Sequence, residues 1–345
     1  MSEVYTVKLN PVGVEFEVEE DETVLDAAFR QGIALPHGCK EGRCAACKCI
    51  VTDGEVEMLS YSTFALNEME RDQNHVLLCR SIVSSDIEVD LLNYDEELLS
   101  KSIPVRNFQA RVSRVSSLTA DIRLLEIELD QPLKFWAGQY VDITLPGAEE
   151  ITRSFSMANP PSETQKLSFI IKKYPGGRFS SRLDGELDVG STVGVKGPYG
   201  TCFRRENRGG ALILVGGGSG MSPLWSILHD HIASGEERPV HFFYGARTQT
   251  DLFYLDLFAE VARSNPRFTF IPVLSHAPDD AAWQGERGFV HEVVDDHLRR
   301  FAYGEDLDVY ACGPEPMIEA LTPVLQMNDV SSDRIFFDKF TPARA

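Results

Sequence analysis

Four cysteines carry the most distinctive chemistry in the first hundred residues. Cys39, Cys44 and Cys47 stand in C-x4-C-x2-C spacing, and Cys79 follows after 31 intervening residues. Four thiolates at this spacing suit a [2Fe–2S] cluster. Three on one tight loop can wrap one side of it, and the remote fourth closes the other. Gly38 and Gly42 let the backbone approach the sulfides and donate N–H groups, and Ala45 and Ala46 keep the loop small. A four-cysteine zinc site is the alternative. It favours paired C-x2-C knuckles, and Cys79 has no cysteine two or three residues away. Cys49, two residues beyond Cys47, reads as a residue of the following strand rather than a ligand.

A second chemical signal is the run Leu212-Ile213-Leu214-Val215-Gly216-Gly217-Gly218-Ser219-Gly220-Met221-Ser222-Pro223. It reads as a buried strand, a glycine turn and a helix start, which places nucleotide phosphates at a helix N-terminus. Glycines at 216, 218 and 220 permit the close approach, while Pro223 stands where a dinucleotide fingerprint has its last glycine.

The elements that must position these residues fall into three groups. In the first, Glu3–Leu9 and Gly13–Glu19 alternate with period two around Asn10-Pro11, and Thr23 caps a helix that Gly32 closes. Val51–Met58 and Asp86–Leu92 read as further strands. The acidic then polar stretch from Tyr94 to Pro104 reads as a linker. From Val105 the chain is strands and Gly/Pro turns (Ala110–Val115, Ile122–Leu129, Tyr140–Leu145, Leu167–Lys173, Thr192–Lys196), a pattern that fits a small antiparallel β-barrel. From Ala211 strands alternate with helices. Ala211–Val215, Val240–Tyr244, Phe268–Leu274 and Leu307–Ala311 are strands; Pro223–Ala233 and Leu252–Arg263 are helices, and a parallel α/β sheet follows. The expected domains are 1–95, a linker at 96–104, 105–207 and 208–345.

The 345 residues suffice for two or three domains, and 43% hydrophobic with 25% charged residues is ordinary for a globular protein. A net charge of −20 argues against a nucleic-acid partner. The charge is uneven, with 21 Asp/Glu against 7 Lys/Arg in residues 1–100. No apolar run is long enough to span a membrane, and the N-terminus has no signal-peptide pattern, so a cytoplasmic location without a disulfide framework is expected. No G-x-S-x-G elbow is present, and His229, His231 and His241 keep no metal spacing.

His37-Gly38-Cys39-Lys40-Glu41-Gly42-Arg43-Cys44-Ala45-Ala46-Cys47-Lys48 and Leu77-Leu78-Cys79-Arg80 resemble the ferredoxin domain of reductases that serve bacterial multicomponent oxygenases. The resemblance implies a β-grasp fold up to about residue 95. Arg153-Ser154-Phe155-Ser156 resembles the R-x-[YF]-[ST] flavin signature of the ferredoxin–NADP⁺ reductase superfamily. It implies that Arg153 pairs with the FAD pyrophosphate, that Phe155 faces the isoalloxazine and that Ser156 hydrogen-bonds near N5. Lys172, then Gly176-Gly177-Arg178-Phe179-Ser180-Ser181-Arg182-Leu183, resembles the same family's second element, with Gly176, Gly177, Phe179 and Ser180 at a helix start beside the pyrophosphate. The glycine turn resembles that family's G-x-G-x-x-P form. Cys312-Gly313-Pro314-Glu315-Pro316-Met317 resembles its C-G-P-x-x-M element, which implies that Cys312 lies beside the nicotinamide C4, with Gly313 and Pro314 at the cofactor. Phe337-Asp338-Lys339-Phe340 resembles the terminal strand, which implies that Phe340 covers the flavin.

The whole chain is similar to reductase components of soluble di-iron monooxygenases of the phenol, methane and propane types. Thr63-Phe64-Ala65-Leu66 and Leu91-Leu92-Asn93-Tyr94-Asp95-Glu96-Glu97-Leu98 look most like the propane branch. The resemblance implies electron flow from NADH through FAD and [2Fe–2S] to a di-iron hydroxylase, with a small coupling protein alongside. No pair of E-x-x-H motifs is present, so oxygen activation belongs to another chain. A reductase of a Rieske aromatic-ring dioxygenase would share this domain order. For the nucleotide, Arg247 stands alone after the second strand and Asp251 follows four residues later, where a second cation would help a 2′-phosphate. NADH is the expected donor.

Overall fold

In the computed structural model, residues 3–147, 151–206, 208–277, 283–301, 303 and 306–340 are described. The chain forms two compact units, Met1–Arg106 with Gly197–Thr201, and Asn107–Lys196 with Cys202–Ala345.

The first unit is built on a mixed sheet. Strands β1 (Val4–Asn10) and β2 (Val14–Glu19) form the expected hairpin, with Val7 paired to Phe16 and Leu9 to Val14. Alternation places Val7, Leu9, Phe16 and Val18 in the core. Helix α1 (Val24–Arg30) buries Val24, Leu25, Ala27, Ala28 and Phe29, and the Thr23 hydroxyl caps it by accepting from the Asp26 N–H at 3.1 Å. The stretch 51–58, expected as one strand, is divided between β3 (Lys48–Asp53) and β4 (Val56–Met58). The break is Gly54, at φ +88°, where a Cβ would lie 2.2 Å from the Asp86 carbonyl oxygen. After α2 (Glu68–Asp72) come β5 (His75–Leu77), β6 (Ser81–Val83) and β7 (Ile87–Leu91). The sheet order is β2-β1-β7-β3-β5, with β1 and β7 parallel in the centre. A helix packed on such a sheet is the β-grasp arrangement. The segment expected as a linker carries helix α3 (Glu96–Ser100), whose Leu98 is buried. It packs back on its own unit. Ser102 accepts from the Ala34 N–H at 2.8 Å, and the Val105 N–H donates to the Phe29 carbonyl at 3.0 Å.

The second unit contains two sheets. Strands β8 (Arg106–Ser117), β9 (Ile122–Leu129), β10 (Tyr140–Leu145), β11 (Ile151–Ser156), β12 (Lys166–Lys172) and β13 (Thr192–Tyr199) run in the order β11-β10-β13-β8-β9-β12. The Ala158 N–H bonds the Ser168 carbonyl at 2.7 Å and draws the two ends together as a barrel requires. Its core includes Leu125, Ile127, Val141, Ile143, Phe169, Val193 and Val195.

The α/β part has strands β14 (Ala211–Gly217), β15 (Val240–Ala246), β16 (Phe268–Leu274), β17 (Glu286–Arg287), β18 (Leu307–Pro314) and β19 (Ile335–Phe340), in the order β17-β16-β15-β14-β18-β19. Every adjacent pair is parallel. Helices α4 (Met221–Ser234) and α5 (Leu255–Ser264) cover one face; α6 (Val290–Arg300) and α7 (Glu315–Met327) cover the other. Period-two alternation on β14 sends Leu212 and Leu214 to the first face and Ile213 and Val215 to the second. The helix expected from Leu252 begins at Leu255, because Gln249–Asp251 forms a 3₁₀ turn and Tyr254 is left-handed at φ +62°. The first face is shared. Barrel residues Ile122, Leu124, Ala137, Ala158 and Ile170 join Leu212, Leu224, Ile227 and Phe242 in one core.

Candidate functional site

The four cysteines of the first unit fall into two pairs. The Cys39 and Cys44 side chains hydrogen-bond each other, and so do Cys47 and Cys79. Among the described residues no group of three or more His, Cys, Asp or Glu is placed to hold a single metal ion. A two-plus-two arrangement suits a two-iron cluster and not a tetrahedral zinc, so the zinc alternative falls. The loop is shaped for anionic sulfur. The Glu41 and Arg43 N–H groups donate to Cys39 Sγ at 3.3 and 3.2 Å, and the Cys39 N–H donates to Cys44 Sγ at 3.3 Å. The Gly42 N–H reaches Cys79. Hydrogen bonding from Cys44 holds the Cys39 thiol down at about 5, and the bond from Cys47 lowers Cys79; the partner thiols are pushed up correspondingly. Lys40 and Ala45 take positive φ (+56° and +58°), uncommon for residues with a Cβ and found where a loop must fold tightly. At Gly38 a Cβ would sit 3.0 Å from Cys44 Sγ. Cys49 lies buried in β3, its thiol raised by burial.

The flavin residues occupy β11 and its neighbours. Arg153 is half-buried, donates to the adjacent Thr152 carbonyl at 2.8 Å and has no ion pair among the described residues, so its charge is available to a phosphate. Ser156 is buried and its hydroxyl has no partner among the described residues. Ser154 donates to Asp142 at 2.6 Å. These residues fit a flavin, but other expectations need correction. Phe179 is buried in the barrel core, its ring 4.7 Å from that of Phe155, so only its backbone can face a cofactor. Lys172 is ion-paired with Asp121, which neutralises it locally. Residues Ser180–Leu183 form a 3₁₀ turn and not a helix start, and the Ser180 hydroxyl accepts from the Tyr174 N–H at 3.2 Å. Gly176 is left-handed at φ +72°, and a Cβ on Gly177 would meet Ser180 Oγ at 2.5 Å.

The glycine turn lies at the carboxyl end of β14, where the strand order reverses between β15 and β18. That crevice is where open α/β sheets bind ligands. A Cβ on Gly220 would fall 2.0 Å from the Cys312 carbonyl oxygen, and one on Gly216 would fall 2.5 Å from Leu224 Cδ1. Gly218 is left-handed at φ +57°. Pro223 is buried in the first turn of α4, a structural position that leaves phosphate contact to the residues before it. Cys312 and Gly313 are the last buried residues of β18, and Pro314 leads into α7. Phe340 closes β19, paired in register with Pro314.

Three features escaped sequence reasoning. Cys202 lies beside Cys312, Sγ to Sγ 4.0 Å, both buried. Ser222 accepts from the Ile170 N–H at 3.1 Å and donates to the Ser156 carbonyl at 2.7 Å, tying the nucleotide helix to the flavin strand. Asp338 is paired in register with Cys312, and burial pushes its carboxyl up to about 7. Its place one residue from Phe337 on the terminal strand was the available signal.

Comparisons with known proteins agree with this division. The family model for the 2Fe-2S iron-sulfur cluster binding domain matches residues 7–84, that for the oxidoreductase FAD-binding domain residues 109–203, and that for the oxidoreductase NAD-binding domain residues 214–322. Fold and site thus define an oxidoreductase that moves electrons between a nicotinamide nucleotide, FAD and a [2Fe–2S] centre. The chain is 45% identical to the reductase component of propane 2-monooxygenase from Mycolicibacterium goodii, over 99% of this chain and 98% of that one. It is 39% identical to the reductase component of phenol 2-monooxygenase from Pseudomonas sp. strain CF600, over 98% and 95%. A crystal structure of a cytochrome P450 reductase from Amycolatopsis superposes with a TM-score of 0.87 at 32% identity, covering 99% of this chain and all of that one. The chain belongs to the family of monooxygenase reductase components. Among the described residues no helix is long and apolar enough to cross a membrane.

Proposed function

We propose that the chain takes a hydride from NADH and delivers the electrons singly to the di-iron hydroxylase of a hydrocarbon monooxygenase of the propane or phenol type. The observation that carries this reading is the 45% identity, over nearly the full length of both chains, to a propane 2-monooxygenase reductase. FAD and the [2Fe–2S] centre supply the conversion of a two-electron donor into one-electron steps. The chain's own residues supply placement. Cys39, Cys44, Cys47 and Cys79 hold the cluster, and Arg153 neutralises the FAD pyrophosphate. The Ser156 hydroxyl orients the flavin ring, and the turn at Gly216, Gly218 and Gly220 receives the nucleotide phosphates. Cys312 stands beside the nicotinamide C4 and helps to place it for hydride transfer. The domain limits 1–95, 105–207 and 208–345, a small coupling protein as second partner and a cytosolic location belong to the same reading.

NADH is favoured over NADPH by the loop after β15. Asp251 accepts from the Thr248 N–H at 2.9 Å and its hydroxyl at 2.8 Å, which fixes a negative charge four residues from Arg247. Arg247 is exposed and has no ion pair among the described residues. One arginine opposed by a fixed carboxylate is a weak clamp for a 2′-phosphate. A kcat/KM for NADH at least about tenfold above that for NADPH is expected, a gap of about 1.4 kcal/mol. The test is reconstitution of the loaded chain with the hydroxylase and coupling protein of the M. goodii propane 2-monooxygenase, with each nucleotide as donor. NADH-dependent hydroxylation supports the reading. Ferricyanide reduction without hydroxylation, or electron delivery to a Rieske oxygenase in its place, overturns it.

A further inference from the structure

Among the described residues, the first unit presents one large apolar side chain wholly to water. Phe64 is 99% exposed, and Met69, on α2 just beyond it, is 73% exposed. The backbone under Phe64 is held firmly. Its N–H bonds Ser62 Oγ at 3.3 Å, and the Ala65 and Leu66 N–H groups both bond the Ser62 carbonyl, at 2.9 and 3.2 Å. Ala65 and Leu66 are buried, so the turn is rooted in the core while its tip projects. The same turn is tied to the cysteine loop. The Ser62 N–H donates to the Gly42 carbonyl at 3.0 Å, and the Cβ position of Gly42 lies against Tyr61. Cys44, two residues from Gly42, is exposed.

Resting on the function proposed above, we propose that Phe64 is the anchor by which this chain docks its electron acceptor, entering an apolar pocket that a cationic rim surrounds on the hydroxylase. Interfaces concentrate their energy in a few aromatic side chains presented on preorganised backbone. The rim follows from charge. Near the turn, Arg43 pairs with Glu41 and Lys48 with Glu70, while Arg71 donates to the Tyr61 hydroxyl. Glu68 and Asp72, beside Met69 on α2, are exposed and have no partner among the described residues. They face the cations Arg71 and Arg80, which no carboxylate pairs there, and the wider surface is acidic, with 21 Asp/Glu against 7 Lys/Arg in residues 1–100. Docking there brings the exposed Cys44 toward the acceptor.

The experiment compares the parent, Phe64→Ala and Phe64→Leu with the M. goodii hydroxylase. Phe64→Ala is expected to raise the KM for hydroxylase, and the Kd measured without NADH, at least about tenfold, with Phe64→Leu recovering most of the loss. NADH–ferricyanide and NADH–cytochrome c rates should stay within about twofold of the parent, and Glu68→Lys should weaken binding at low salt. Unchanged KM and Kd in Phe64→Ala, with a parent that reduces the hydroxylase, overturn the docking assignment alone. A parent that reduces ferricyanide and never the hydroxylase overturns the functional reading and this assignment with it. A parent dimer that Phe64→Ala converts to monomer in sedimentation assigns the knob to self-association and overturns it too.

Discussion

Replacing Asp338 by asparagine tests the electrostatics of the terminal strand. The carboxyl is partly buried beside Cys312, and burial raises it from its ordinary value near 3.8 to about 7. An acid whose pKa rises on folding favours the folded state in its protonated form. Its contribution is complete below about pH 4 and is lost as pH climbs through 7. Such a rise would be worth about 4 kcal/mol for a fully enclosed group. Partial access of the side chain to water reduces the expected figure to about 1–2 kcal/mol. Asp338→Asn keeps the shape and removes the charge. The variant should therefore gain on the parent between about pH 4 and pH 7 and hold a constant advantage above that. For a unit of this size the advantage is about 4 °C in melting temperature at pH 8. Thermal melts of both proteins at half-unit pH intervals give the answer. A difference in melting temperature that is the same at pH 5 and pH 8 would refute the argument.

Three further outcomes follow from the sites. Cys44→Ser should leave a protein with flavin absorption only, largely retained NADH–ferricyanide activity and little cytochrome c reduction; unchanged iron and sulfide would remove Cys44 from the ligand set. Gly220→Ala forces a Cβ to within 2.0 Å of the Cys312 carbonyl oxygen, so a loss of about 1–3 kcal/mol in stability and a KM for NADH raised about tenfold are expected. Parent-like melting and kinetics would contradict it. Cys312→Ala should slow flavin reduction by NADH in stopped flow about tenfold without loss of flavin, whereas an unchanged rate would return Cys312 to a packing role.

Much of the fold was legible because its signals are local. The alternation of Val7 and Leu9 against Phe16 and Val18, the Thr23 cap and the apolar run before Gly216 each depend on a few neighbouring residues. The cysteine spacing was equally readable, since three of the four thiols share one loop. What was missed depends on partners distant in sequence. Nothing near Lys172 reveals that Asp121 neutralises it, and nothing near Phe179 shows that Phe155 and the barrel core enclose it. The division of 51–58 at Gly54 is set by the backbone of Asp86, more than thirty residues on. Cys202 and Cys312 meet across 110 positions. Ser222 reads in sequence only as part of a helix start, although its hydroxyl ties α4 to β11 and β12, two strands of the barrel.

The core shared by barrel residues such as Leu124 and Ile170 with Leu224, Ile227 and Phe242 constrains how such chains can be recombined. A nucleotide-binding half grafted on at residues 207–211 from a distant reductase would meet a barrel face cut for other side chains. It would leave voids or overlaps along the whole seam, and each void costs stability in proportion to its volume. The two halves must therefore be inherited together, and substitutions on one side of the seam bind the other side to compensating change. The packing that joins flavin and nucleotide halves makes them a single unit of exchange, whatever cofactor boundary the sequence suggests.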